Sequence, residues 1–318
     1  MITKYAPIAL FVYNRPWHLR QTVESLIKNT LAKESELIIF SDAAKDKKSE
    51  AGVQAVRDYL KTISGFKKVL IHNRKINFSP SKNIIEGVTK VINEYGKIIV
   101  LEDDLSVAPY FLDFMNDALL FYENEPKIIS VCGYMYPVKI KNRQTLLLRM
   151  ADCWGWGTWK RGWDLFDPNA KKLLEQLKSK KLIRKFDLDG RYPYSKALKK
   201  QASERTFSWA TCWYASSLLN DKLSLYPSKS LVRNVGFDGS GVNCGFNTGY
   251  DVNTLQEKAG VFKIPLKEDQ DTINKIGVFF RINKFKRLVY FIHKIFFQHL
   301  KRDKALRLLI NDTISTLP

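Results

Sequence analysis

The sequence predicts an α/β fold, a mainly parallel sheet covered by helices on both faces. Three observations carry the prediction. The first hundred residues alternate short apolar runs with stretches of helical period. The short runs are continuously apolar, as strands buried on both faces are. At 318 residues, 45% hydrophobic and 26% charged, the chain can bury a sizeable core.

Each element follows in order. Pro7 to Tyr13 reads as a buried first strand with Pro7 at its entry. A helix follows from Pro16 to Asn29, with Asn14 as its cap and Pro16 in its first turn. Leu37 to Phe40 is the second strand, and it ends at Ser41-Asp42. The second helix, Glu50 to Ile63, places Val53, Val56, Tyr59 and Leu60 on one face. Val69 to Ile71 is the third strand. Pro80 to Glu94 is a third helix, turning Ile84, Ile85, Val88, Val91 and Ile92 inward. The fourth strand, Ile98 to Leu101, runs into Glu102-Asp103-Asp104, ahead of a helix from about Pro109 to Tyr122.

Beyond this the pattern changes. Asp152 to Trp163 holds four tryptophans and three glycines in twelve residues. Such a segment is either an aromatic-rich core turn or a wall that stacks on a sugar ring. Lys171 to Lys185 reads as one surface helix with a solvated basic face. Ser208 to Tyr214 opens another helix, half-buried. Gly236 to Gly245 has too many glycines for regular structure and reads as a mobile loop able to close over a ligand. In the tail, Phe285, Leu288, Val289, Ile292, Ile295, Phe296 and Leu300 recur at helical spacing among Lys284, Lys286, Arg287, Lys294, Lys301 and Arg302. That run is too short to span a bilayer and fits a basic amphipathic helix lying in an anionic membrane interface.

The net charge is +20, with a pI near 9.6. It implies attraction to nucleic acid, an anionic membrane or a phosphate-bearing substrate. Cys132, Cys153, Cys212 and Cys244 are widely separated, so no CxxC pair exists. Reduced thiols and the absence of a signal-peptide pattern lead us to expect a cytoplasmic protein.

The acidic triplet narrows the choice. Three carboxylates where a strand leaves the core repel one another unless a positive charge sits among them. A hard cation carrying a diphosphate, Mn²⁺ or Mg²⁺, meets that need. The same triplet opposes a nucleic-acid partner, whose phosphates it would repel. No GxxxxGK[ST] or GxGxxG follows the first strand. Tyr13-Asn14-Arg15 and Ser41-Asp42 instead lie at strand ends that converge on the triplet's edge, where open α/β sheets bind ligands. Together they describe a nucleoside-diphosphate site.

Val100 to Phe111, with its Leu-Glu-Asp-Asp-Leu-Ser-Val-Ala-Pro core, resembles the acidic motif of the Golgi N-acetylglucosaminyltransferase that starts complex N-glycans. Residues 7 to 249 also resemble bacterial sugar transferases of surface-polysaccharide pathways, which share the Trp-Gly-rich segment and the Gly-Phe-Asp-Gly-Ser-Gly loop. The resemblance implies a GT-A fold, with a nucleotide-binding half over 1–108, an acceptor half over 109–265 and a basic tail over 266–318. It implies a UDP-sugar donor, Mn²⁺ or Mg²⁺, a glycan or lipid-linked glycan acceptor, and inversion at the anomeric carbon. By position, Arg15 and Asp42 would hold the nucleotide, Glu102 and Asp103 would lie beside ribose and sugar, and Asp104 would ligate the metal. The family's catalytic base has no counterpart at Trp209-Ala210-Thr211, where no carboxylate stands. Glu204 and Asp238 are the candidate bases, and the expected protein is an enzyme held peripherally at the inner face of the membrane. A nucleic-acid-binding protein and an inactive transferase-like scaffold are the rival expectations.

Overall fold

The computed structural model describes residues 4–203, 208–240 and 248–285. Its main sheet has eight strands among these residues, in the order β3-β2-β1-β4-β8-β6-β9-β7. The first half comprises β1 (Ile8–Val12), β2 (Glu36–Ser41), β3 (Lys68–Asn73) and β4 (Lys97–Glu102), all parallel. The other half is mixed. There β8 (Trp156–Trp159) runs antiparallel between β4 and β6 (Ile128–Cys132), β9 (Leu223–Pro227) pairs parallel with β6, and β7 (Thr145–Leu148) closes the edge antiparallel to β9. A small ladder joins β5 (Leu105–Val107) to β10 (Val232–Asn234).

The continuously apolar strands are what allow a core on each face. Along β1, Ile8, Leu10 and Val12 pack with α1 (Pro16–Ile27), α2 (Lys47–Leu60) and α4 (Phe111–Phe121), while Ala9 and Phe11 pack with α3 (Ser79–Tyr95) on the other side. Burying each such Ile, Leu or Phe contributes about 1.5–3 kcal/mol. The inward residues of α3 are those its spacing predicts, apart from Ile85, which is half-buried, and Gly96 ends the helix at φ 77°.

Several boundaries differ for local reasons. Helix α1 is preceded by Arg15, not Asn14, and no side chain caps it. Arg15 is instead drawn to the acids described below. Helix α2 starts earlier than its apolar pattern because Asp46 and Ser49 form a reciprocal capping box. The single helix expected over 171–185 is two, α6 (Ala170–Ser179) and α7 (Ile183–Phe186). Lys181 adopts φ 56° between them, and Leu182 N bonds Leu177 O at 2.8 Å, a Schellman ending with lysine where glycine is usual. Leu173, Leu174 and Leu177 of α6 are buried against α8 (Tyr194–Ala202) and α9 (Trp209–Leu219).

A further helix, α10, includes residues 270–285. Asp269 caps it by accepting from Thr272 N, and Ile273, Ile276 and Phe280 are buried. The buried Arg149 holds its approach, pairing with Asp189 at 2.6 Å and Glu268 at 3.2 Å. The tail expected from 266 therefore begins as part of the packed unit. The stretch after Phe285 that is expected to lie on a membrane falls outside the described residues. No helix among the described residues is long and apolar enough to cross a membrane.

Candidate active site

The carboxyl ends of β1, β2 and β4 open into one cavity of about 810 Å³, a size suited to a small organic ligand. Arg15, Asp42, Glu102, Asp103 and Asp104 all line it. Five of the seven expected site residues thus converge. Glu204 lies outside the described residues, and Asp238 is an exposed residue beyond the cavity wall.

Arg15 supplies the positive charge that the acids require. Its Nη2 donates to Asp104 Oδ2 at 2.9 Å and, more closely, to Asp103 Oδ1. Its Nη1 is buried without a hydrogen-bond partner among the described residues. Asp103 also accepts from Tyr13 N at 3.3 Å, so its carboxylate turns back toward the end of β1. Burial, reinforced by Asp104 and Asp103, pushes Glu102 up to about 8. Burial also outweighs Arg15 at Asp103 and raises it to about 6. Burial and like charge thus favour the protonated carboxyl at Glu102, beside an arginine that serves Asp103 and Asp104.

Gly236 closes this floor. A Cβ there would lie 2.2 Å from Asp104 Oδ2 and 3.0 Å from Arg15 Nη1, so only glycine lets the segment after β10 pass so near. Next to it, Asp238 accepts from Ser240 N and Oγ and meets His18 Nε2 at 3.0 Å. The Ser240 hydrogen bonds hold Asp238 down at about 2, which makes it a poor proton acceptor. The glycine-rich stretch beyond Ser240 is undescribed through residue 247.

Asp42 is engaged as well as accessible. Its Oδ1 accepts from Ala43 N at 2.9 Å and Phe78 N at 2.8 Å, and its Oδ2 from Asn77 Nδ2 at 3.2 Å. One lone pair remains for a ligand donor. Asn77, which also lines the cavity, was missed because nothing in its sequence context marks it.

The tryptophan segment divides between the two readings. Trp156, Trp159 and Trp163 are core residues, and Trp156 stacks on Trp209 at 5.3 Å. Trp154 alone of the four lines the cavity. Helix α9, expected to be half-buried, is buried along most of its length. Its first residues, Ser208 to Ala210, form part of the cavity wall.

Three carboxylates supply hard oxygen donors, but no group of three His, Cys, Asp or Glu side chains among the described residues is placed to hold a metal by itself. The arrangement fits a cation shared with a ligand's phosphates better than a protein-only cage.

Residues 8–177, more than half of the chain and the stretch that carries all five converging residues, match Glycosyl transferase family 2. No curated protein matches. Among solved structures, S. aureus TarS aligns at 17% identity with a TM-score of 0.30, over 43% of this chain and 23% of TarS. The mannosyltransferase PcManGT from Pyrobaculum calidifontis, solved with GDP-Man and Mn²⁺, aligns at 11% identity with a TM-score of 0.36, over 69% of this chain and 76% of its own. The chain thus spans under a quarter of TarS, and both likenesses are too distant to speak to substrate. The expected likeness to the Golgi N-acetylglucosaminyltransferase is not supported. What the matched residues establish is the family: the chain belongs to glycosyl transferase family 2.

Proposed function

We propose that the chain transfers a sugar from a UDP-sugar to a glycan acceptor, with inversion, in the synthesis of a surface polysaccharide. The observation that carries the reading is the convergence of Arg15, Asp42 and Glu102 to Asp104 on one cavity at the carboxyl ends of parallel strands. Asp42 has an acceptor position left for a base N–H, and the rim lysines Lys45 and Lys48 are exposed where an anionic ligand would enter. Asp104 would hold Mn²⁺ or Mg²⁺ together with the donor's phosphates. When bound, that ion supplies charge neutralisation for the departing diphosphate. Arg15 keeps Asp103 and Asp104 in place from the protein side. A lipid-linked acceptor and peripheral attachment through the basic tail belong to the same proposal.

A thermal-shift panel tests the reading. UDP, GDP, ADP and their sugars are compared with and without Mn²⁺, since a ligand of the folded state raises stability by mass action. We expect a shift that needs both UDP and metal. A shift with GDP alone would correct the base, and no shift with any nucleotide would overturn the reading.

A further inference from the structure

We infer that Asp152 is the general base of the transfer. Its carboxylate takes the acceptor hydroxyl's proton as that oxygen bonds to the donor's anomeric carbon. The bond from that carbon to the phosphate oxygen breaks, and its electron pair leaves with the nucleoside diphosphate. The inference rests on the function proposed above and adds the acceptor side of the site.

Asp152 lies between β7 and β8, and the two residues that follow it, Cys153 and Trp154, line the cavity. Its side chain is fixed from two directions. Tyr136 Oη donates to Oδ1 and Tyr226 Oη to Oδ2, each at 2.8 Å. Tyr136 abuts Tyr134, and Tyr134 abuts Trp154 at 4.6 Å, so the carboxylate and the cavity's indole share one aromatic wall. Trp154 also meets Phe237, the neighbour of Gly236. This wall gives an acceptor sugar an apolar face at Trp154, with the Asp152 carboxylate directly behind the lining residues Cys153 and Trp154.

Two phenols, and no cation among the described residues, face this carboxylate. No Lys, Arg or His pairs with Asp152 among the described residues, and the groups around it (Cys132, Cys153, Tyr134, Tyr194 and Tyr214) are thiols and phenols that burial keeps neutral. Burial lifts the carboxyl to about 6 against the pull of Tyr226 and Tyr136, yet the residue keeps part of its surface open. An enclosed carboxylate without a cation is a poor way to stabilise a fold and suits proton transfer near neutral pH. Of the other described acids near the cavity, Glu102 belongs to the triplet, where burial and its acidic neighbours raise its carboxyl, and five are committed: Asp42 to backbone N–H groups, Asp46 to the α2 cap, Asp103 and Asp104 to Arg15, and Asp238 to Ser240 and His18.

The test uses the full chain with Mn²⁺ and UDP-glucose, UDP-N-acetylglucosamine and GDP-mannose, reading nucleotide release, with water as acceptor. Asp152→Asn is expected to lower turnover at saturating donor by about a hundredfold or more, with UDP affinity unchanged. Tyr226→Phe removes a hydrogen bond to the charged form, so the acid limb of its pH–rate profile should move up from that of the wild type. That variant keeps the question open to measurement if Asp152→Asn does not fold. Turnover in Asp152→Asn within about threefold of wild type, or an unmoved acid limb in Tyr226→Phe, would overturn the base assignment alone. A wild-type chain that neither binds nor turns over any of these donors would overturn the parent reading, and the base with it.

Discussion

At the scale of single residues the site is an electrostatic compromise. Asp104 sits within reach of the cavity with Arg15 on one oxygen. Asp104→Asn removes the charge proposed to hold the metal without emptying any core space, so metal-dependent turnover should disappear while the melting temperature stays near wild type. Activity equal to wild type at limiting Mn²⁺ would exclude Asp104 as the metal ligand. Glu102 makes a second prediction. Its carboxyl is raised to about 8, so between the ordinary carboxyl range and about 8 the folded chain holds a proton that the unfolded chain has released. Stability must therefore fall as pH rises through that window, and Asp103 and Asp152, each raised to about 6, steepen its lower part. Thermal melts of the ligand-free protein from pH 5 to 8.5 should show this decline, and Glu102→Gln should flatten its upper part. A melting temperature that climbs with pH would contradict the raised Glu102 carboxyl. These strand-end acids were legible in the sequence because chain order and the sheet rule place them. Asp152 was not, since its enclosure depends on Tyr136 and Tyr226, which sequence spacing does not connect to it.

At the scale of elements, the strands and the first three helices were legible because β-branched runs and helical spacing coincide with burial there. The tryptophan segment was not, because composition cannot tell a core indole from a cavity indole. Trp154 and Trp156 separate the two roles. Trp156→Ala empties a fully buried position and should destabilise the protein by about 3–5 kcal/mol. Trp154→Ala should leave stability within about 1–2 kcal/mol of wild type but impair turnover, because of the segment's four indoles only this one reaches the cavity. Urea melts and donor turnover on both variants check the division, and a reversal of the two effects would refute it. The break between α6 and α7 was illegible for a different reason. A left-handed Schellman residue is usually announced by glycine, and here it is Lys181. Lys181→Gly should relieve the strain and stabilise by about 0.5–1 kcal/mol in urea melts. No gain would mean that the lysine side chain stabilises the turn in some other way.

At the scale of the whole molecule, the sequence sets a basic tail apart from the rest of the chain, and the first residues of that tail are packed. Glu268 and Asp269 pair with Arg149 and Arg143, and Phe280 packs on Tyr136 and Tyr192, at 5.1 Å and 4.4 Å. A chain ending at Lys267 would expose what Ile273, Ile276 and Phe280 cover, each worth about 1.5–3 kcal/mol. It would also leave the buried Arg149 with Asp189 as its remaining ion-pair partner. We expect that chain to be unfolded or strongly destabilised. A chain ending at Phe285 keeps these contacts and should melt near wild type and bind UDP unchanged. It lacks seven of the ten Lys and Arg residues found between Lys275 and Pro318, each worth about 1 kcal/mol near an anionic surface. Sedimentation with phosphatidylserine-containing vesicles at low salt should therefore drop by at least about tenfold relative to the full chain. The loss should be smaller at high salt, where screening already weakens the full chain's binding. If the chain ending at Phe285 sediments as well as the full one, attachment lies elsewhere on the molecule, and the exposed stripe of Val278, Ile282 and Phe285 on α10 becomes the surface to mutate.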